Sequence, residues 1–315
     1  MIELSNENGG IFMESLIIKT KKETKILKQT SFKAEEEFEN LVFKTPELLE
    51  DIFLIKRQVR GGNKPGIPDI IGVDEDGNIC IIEMKNVTVD SDVIPQVLSY
   101  AIWAEKNPDS IKSLWLECED KPEDLEIDWD EAEIRIIIIA PKILNSTLEY
   151  VSKIDYTVDL FEVRQYLDND NQFYVLSKLE AENSKKVKPV RGRQEYDEEE
   201  YKKLYNHNSV NDFLRYIKEI ENIIKNNNWQ LETNYKKKYC SFKYGLTNIF
   251  GIHWVGSKTF SFRFKIAKDD AEKFGVKMTK YSKTKPVAFY YIEPGKTKTE
   301  DFTEIIKFVY NKILG

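Results

Sequence analysis

GIPDIIGVDEDGNICIIEMKN, residues 66–86, decides the fold. Two β-rich runs, IIGV at 70–73 and ICIIEM at 79–84, flank the tetrad Asp74-Glu75-Asp76-Gly77. An Asp-Gly turn between two such runs predicts a β-hairpin. Within it, Asp69 is separated by thirteen residues from Glu83, and Glu83 by one residue from Lys85. Side chains on a strand alternate with period two, so Glu83 and Lys85 share a face. Folding the hairpin brings them beside the start of the strand that follows Asp69. Two carboxylates and an ammonium then converge at one sheet edge, among Ile70, Ile71, Ile81 and Ile82.

Charges in such company cost free energy unless they are paired or bind a metal. A salt-bridged strand pair would satisfy them. The alternative is chemistry: two carboxylates that hold one or two divalent ions, which polarise a phosphate and lower the pKa of a bound water. Lys85 would then orient that water or stabilise developing negative charge.

Working outward, LIIKTKKETKIL (16–27) reads as a hairpin occupying about 16–29, and a helix follows from a cap near Ser31 through EEEFENLVFK, with Phe38, Leu41 and Val42 on its apolar face. PELLEDI begins a short helical stretch at Pro46, FLIKRQVR reads as a strand and GGNKPG as a loop. VIPQVLSYAIWAEKN reads as a helix with Val93, Val97, Tyr100, Ala101 and Ala104 on one side. A buried strand (134–140), a helix (144–154) and two β-rich runs around Phe161 and Tyr174 complete the first half. Residues 181–196, polar and without periodicity, read as a linker; their basic run Lys185 to Arg193 could clamp a phosphate backbone or simply be solvated.

The hairpin resembles the core motif of the PD-(D/E)XK nuclease superfamily. The likeness extends to VIPQVLSYAIW, where Gln96 and Tyr100 match the Q-x-x-x-Y helix of the RecB-like branch. EEEFENLVFKTPELLED is similar to the first helix of NucS-type endonucleases, whose glutamate reaches the metal site. Glu35 is the match to that glutamate, with Glu36 and Glu39 as alternatives. The likeness spans roughly residues 31–106. It implies a restriction-endonuclease-like α/β fold, a mixed central sheet flanked by helices, over 1–180. It also implies a Mg²⁺- or Mn²⁺-dependent deoxyribonuclease with Asp69, Glu83, Lys85, Gln96 and Tyr100 in its active site and Glu35, Asp69 and Glu83 as metal ligands. DNA is the expected partner, whether single-stranded, flap or branched, in repair or in defence. The substrate structure, DNA against RNA, and the oligomeric state, a homodimer included, stay open. The chain departs from NucS proteins in lacking a comparable N-terminal dimerisation domain and in carrying a basic C-terminal half. The competing reading is a nucleic-acid adaptor that keeps the fold without turnover.

The remaining composition narrows the choices. The longest apolar run, in EIRIIIIAP, is far too short to span a bilayer, and the first thirty residues lack the apolar core of a secretory signal. A cytoplasmic protein without membrane contact is expected. Cys80, Cys118 and Cys240 form no CxxC pair, and with only two histidines a structural zinc site is not expected. Metal chemistry must therefore lean on carboxylates and hard ions. Asp74, Asp76 and Asn78 superficially suggest a calcium loop, but the glycine stands at the fourth position rather than the sixth.

The net charge of −7 conceals a basic tail: residues 229–315 carry 17 Lys plus Arg against 8 Asp plus Glu. Residues 197–315 read as a smaller α+β domain, with a helix around Val210, Phe213, Leu214, Ile217, Ile220 and Ile224, alternating strands, and a last helix FTEIIKFVYNKIL. Its lysines interleave with Tyr235, Tyr239, Phe242, Tyr244, Trp254, Phe260, Phe262 and Phe264. Exposed, such aromatics stack on unpaired bases; buried, they are one face of an antiparallel sheet.

Overall fold

The computed structural model describes residues 4–5, 11–12, 15–49, 51–57, 68–122, 125–180, 196–283 and 286–314. The expected linker, apart from Tyr196, and the GGNKPG loop lie outside these residues.

The first half is a mixed eight-stranded sheet between helices. Its strands are β1 (Leu16–Lys19), β2 (Thr24–Thr30), β3 (Ile52–Arg57), β4 (Ile70–Asp74), β5 (Ile79–Met84), β6 (Ile134–Ala140), β7 (Thr157–Asp168) and β8 (Asn171–Leu179). They lie in the order β1-β2-β7-β6-β5-β4-β3, with β8 paired to β7. β5 and β7 run parallel to β6, and the remaining pairings are antiparallel. The helices are α1 (Glu35–Lys44), α2 (Val93–Lys106), α3 (Pro108–Glu117) and α4 (Asn145–Val151).

Both sheet faces are covered, which is why β4, β5 and β6 are apolar at nearly every position. Ile71, Val73, Ile79, Ile81, Ile136 and Ile138 pack with Val97, Tyr100, Ala101 and Trp115 of α2 and α3. Ile70, Cys80, Ile82, Met84, Ile137 and Ile139 pack with Phe38 and Val42 of α1. Each fully buried isoleucine stabilises by about 1.5–3 kcal/mol. The layered core is what holds the hairpin rigid.

Local departures from the sequence reading have physical causes. α1 starts at Glu35 rather than near Ser31. Glu37 accepts from the Lys33 N–H at 2.9 Å, so a carboxylate inside the first turn reaches back to the preceding backbone. The helix expected over 144–154 closes at Val151. α3, with Pro108 as its first residue, was not expected; a proline there sets the starting φ and needs no donor.

The second half packs α5 (Glu198–Leu204), α6 (His207–Asn226) and α7 (Thr303–Leu314) on one face of an antiparallel sheet. Its strands are β9 (Glu232–Tyr235), β10 (Tyr239–Tyr244), β11 (Thr247–Val255), β12 (Thr259–Phe264), β13 (Lys280–Ser282) and β14 (Val287–Ile292), in the order β9-β10-β11-β12-β14-β13. Phe242, Phe260, Phe262 and Phe264 are wholly buried against Phe213, Tyr216 and Ile217 of α6. Trp254 and Tyr239 are also buried, and Tyr244 is exposed. The aromatic alternation therefore builds the core rather than a stacking platform.

The two halves meet at the Asp74–Gly77 turn. The Lys238 N–H donates to Asp76 at 3.3 Å, and its ammonium donates to the Glu126 carbonyl at 2.9 Å. Lys237 faces Glu131 at 3.5 Å. Gly77 is required twice: its φ is +91°, and a Cβ would stand 2.9 Å from the Glu126 carbonyl oxygen.

Candidate active site

The register of β4 on β5 pairs Ile70 with Ile82 and Ile71 with Ile81, so Asp69, one residue before β4, falls opposite Glu83. The Lys85 N–H donates to the Ile139 carbonyl at 3.0 Å, extending the β5–β6 ladder past Met84 and keeping Lys85 in phase with Glu83. Lys85 Nζ lies 2.5 Å from Glu83 Oε1 and 3.7 Å from Glu35 Oε1. Asp69 Oδ2 accepts from the Met84 N–H at 2.8 Å, which fixes its carboxylate across the hairpin. The hairpin and the first turn of α1 thus bring Glu35, Asp69, Glu83 and Lys85 together. Glu36 is exposed and holds Arg57 only through its carbonyl at 3.4 Å, whereas Glu39 is buried on α1.

Glu83 is 0 % exposed, and neither of its oxygens receives a well-aligned hydrogen bond; the ammonium of Lys85 is its ionic contact. Burial and then the facing Asp69 push its pKa up to about 8, against the pull of Lys85. Burial also raises Asp69, although the Met84 N–H and Lys85 favour its charged form. Ionising both acids at once is therefore disfavoured. Burial works against the Lys85 ammonium, but Glu83, Glu35 and Asp69 more than offset it and hold its pKa above the ordinary value.

Gln96 and Tyr100 lie one turn apart on α2, and Gln96 Nε2 donates to the Tyr100 hydroxyl at 2.6 Å. Tyr100 is buried; burial raises its phenol, Gln96 opposes this, and the charges of Glu83 and Asp69 raise it further. Gln96 thus pairs with Tyr100, and neither side chain is hydrogen-bonded to Asp69, Glu83 or Lys85.

A buried carboxylate opposite a second carboxylate, with one ammonium between them and the solvent-facing Glu35, fits a divalent cation, whose charge would offset both acids. Among the described residues no three His, Cys, Asp or Glu side chains are already gathered as a ligand set. Asp69 and Glu83 supply two carboxylates, and Glu35 stands beside Lys85 with its side chain 46 % exposed.

Sequence reading missed a second ionic cluster, at the other end of the hairpin. Arg135 contacts Asp51 at 2.9 Å, Asp74 at 3.4 Å and Asp159 at 2.7 Å, and Lys178 contacts Asp159 at 2.7 Å. Its one visible signal was an arginine inside the apolar run IRIIIIA.

No family model matches the chain. Endonuclease NucS of Pyrococcus abyssi (strain GE5 / Orsay) is 38 % identical over 71 residues, which are 21 % of this chain and 26 % of that protein. The match thus spans about a quarter of the relative. Among solved structures, an EndoMS–dsDNA complex aligns with a TM-score of 0.30 and 23 % identity over 41 % of this chain and 44 % of that one. A repair endonuclease from Pyrococcus abyssi aligns with a TM-score of 0.27 and 21 % identity over 46 % and 63 %. No helix among the described residues is long and apolar enough to cross a membrane.

Proposed function

We propose that this chain is a divalent-metal-dependent DNA endonuclease of the PD-(D/E)XK kind, similar to NucS. The observation that carries the reading is Glu83: a fully buried carboxylate that faces Asp69, with the Lys85 ammonium as its ionic contact. The local identity to an endonuclease supports the same reading.

Asp69 and Glu83, with Glu35 from the helix start, would hold Mg²⁺ or Mn²⁺, hard ions suited to carboxylate oxygens. Such an ion supplies Lewis-acid polarisation of the phosphate and acidifies a bound water. The chain's own groups do the rest. The Met84 N–H keeps Asp69 aimed at Glu83. Lys85, kept charged by its three acidic neighbours, faces the attacking water or the developing charge on the phosphate. Tyr100, braced by Gln96, closes the α2 side of the site. Lysines of the second half supply salt-sensitive phosphate contacts, which an acidic first half lacks.

The test is cleavage of labelled single-stranded, duplex and flap DNA in EDTA, Mg²⁺ and Mn²⁺. Wild type should cut only with metal. Asp69→Ala should lose on the order of 10³-fold and Lys85→Ala about 10²–10³-fold, the scale of removing a group that stabilises developing charge. Equal cutting by Asp69→Ala and wild type, or cutting in EDTA, contradicts the proposal.

A further inference from the structure

We propose that Asn86 is a positioning residue for the candidate metal site, its side-chain amide holding the segment that delivers Glu35; this rests on the nuclease reading above. Asn86 lies two residues beyond the end of β5 at Met84, where its side chain meets the segment that precedes α1. There Asn86 Nδ2 donates to the Phe32 carbonyl at 2.9 Å. Phe32 stands three residues before Glu35. Its buried ring stacks on Phe38 of α1, with centroids 4.2 Å apart and planes at 18°. The next N–H, that of Lys33, is held by Glu37 at 2.9 Å.

Glu35 is the first residue of α1, and Ala34 before it caps the helix with no side-chain hydrogen bond. A helix start of this kind frays unless groups outside it hold it. Beside the Lys85–Glu35 contact, Asn86 provides a hydrogen bond that ties the backbone of this start to the segment leaving the catalytic strand. The other end of its amide points the same way. Asn86 Oδ1 is buried without a hydrogen-bond partner, a state that costs stability. Packing alone favours an apolar side chain there, so the residue is explained by its donor. Asn86 touches none of the acids in this scheme and acts through Glu35.

The test is a double-mutant cycle on the full chain: wild type, Asn86→Leu, Glu35→Gln and the double variant, with Mn²⁺ affinity read by calorimetry and cleavage as a second readout. Asn86→Asp, which keeps the shape but sets an acceptor against the Phe32 carbonyl, replaces Asn86→Leu in the cycle if the latter fails to fold. Asn86→Leu should weaken Mn²⁺ binding by about 10–100-fold, the range for groups that orient metal ligands. Glu35→Gln should fall in the same range, and the double variant should bind no more weakly than the weaker single. Additive losses, or wild-type Mn²⁺ affinity in the Asn86 variants, overturn the role of Asn86 alone. A wild-type chain that binds no Mn²⁺ overturns the nuclease reading, and this inference with it.

Discussion

The β4–β5 hairpin carries buried carboxylates at both ends, about 16 Å apart at ~3.3 Å per residue, and the two ends treat them differently. At the Asp74 end, Asp74 and Asp159 each have several donors. Asp74 accepts from the N–H groups of Asp76 and Asn78, from the Asn78 amide and from Arg135. Asp159 accepts from both the Nε and a terminal nitrogen of Arg135 and from Lys178. At the Asp69 end, two acids face one another, one lysine serves them, and Glu83 receives no aligned donor. A buried charge that is fully satisfied is structural; one left short of partners takes up a proton or, on the reading proposed above, a metal ion. The comparison separates a folding device from a candidate catalytic one on the same pair of strands.

It can be broken at either end. Arg135→Met should have the largest effect on stability, a loss of about 3–5 kcal/mol, because it leaves several acids buried without their cation. The same substitution should shrink the acid limb of stability, leaving the part that Lys178 holds at Asp159. Burial alone would raise Asp159 and Asp51, but Arg135 holds both below the ordinary carboxylate range. Their contribution is therefore present above about pH 4, the unfolded pKa, and is lost as the pH falls through the lower folded values. Urea melts of wild type and variant between pH 2 and pH 6 check this. Retention of the full acid limb in the variant would mean that Arg135 does not carry it.

Glu83→Gln should do the opposite in stability. Burial and Asp69 oppose the ionisation of Glu83, so a neutral isostere should stabilise the metal-free chain near neutral pH by about 1–3 kcal/mol, and the variant should not cut DNA. A melt in EDTA that shows Glu83→Gln less stable than wild type would place Glu83 among the structural acids.

The smallest effect is expected at the junction with the second half. Burial and then Asp74 push Asp76 up to about 6. A raised acid contributes stability below about pH 4 that is lost as the pH rises through 6. Asp76→Asn, which still accepts from the Lys238 N–H, should therefore stabilise by about 1 kcal/mol above pH 6 and change nothing near pH 4. Thermal melts at the two pH values decide it, and equal shifts at both would show that the Asp76 charge is not the cause.

The same contrast explains what the sequence disclosed. Asp69, Glu83 and Lys85 lie within one hairpin, so strand periodicity and an Asp-Gly turn suffice to bring them together. Gln96 and Tyr100 lie one helical turn apart, again a local relation. The Arg135 cluster joins residues 51, 74, 135, 159 and 178, whose meeting depends on the order β7-β6-β5-β4, and no local rule gives that order. The same holds for Asn86 and Phe32, 54 positions apart. In the second half, alternation alone left the aromatics as core or as platform; the helices α5, α6 and α7 on one sheet face made Phe242, Trp254, Phe260, Phe262 and Phe264 core.

The most direct measurement is an anomalous difference map from crystals of the chain soaked in Mn²⁺. A manganese peak between Asp69 and Glu83, with none beside Asp74, Asp159 and Arg135, is the expected result. A peak at the Arg135 cluster, or none between Asp69 and Glu83, would contradict the division of the hairpin into a structural end and a metal-binding one.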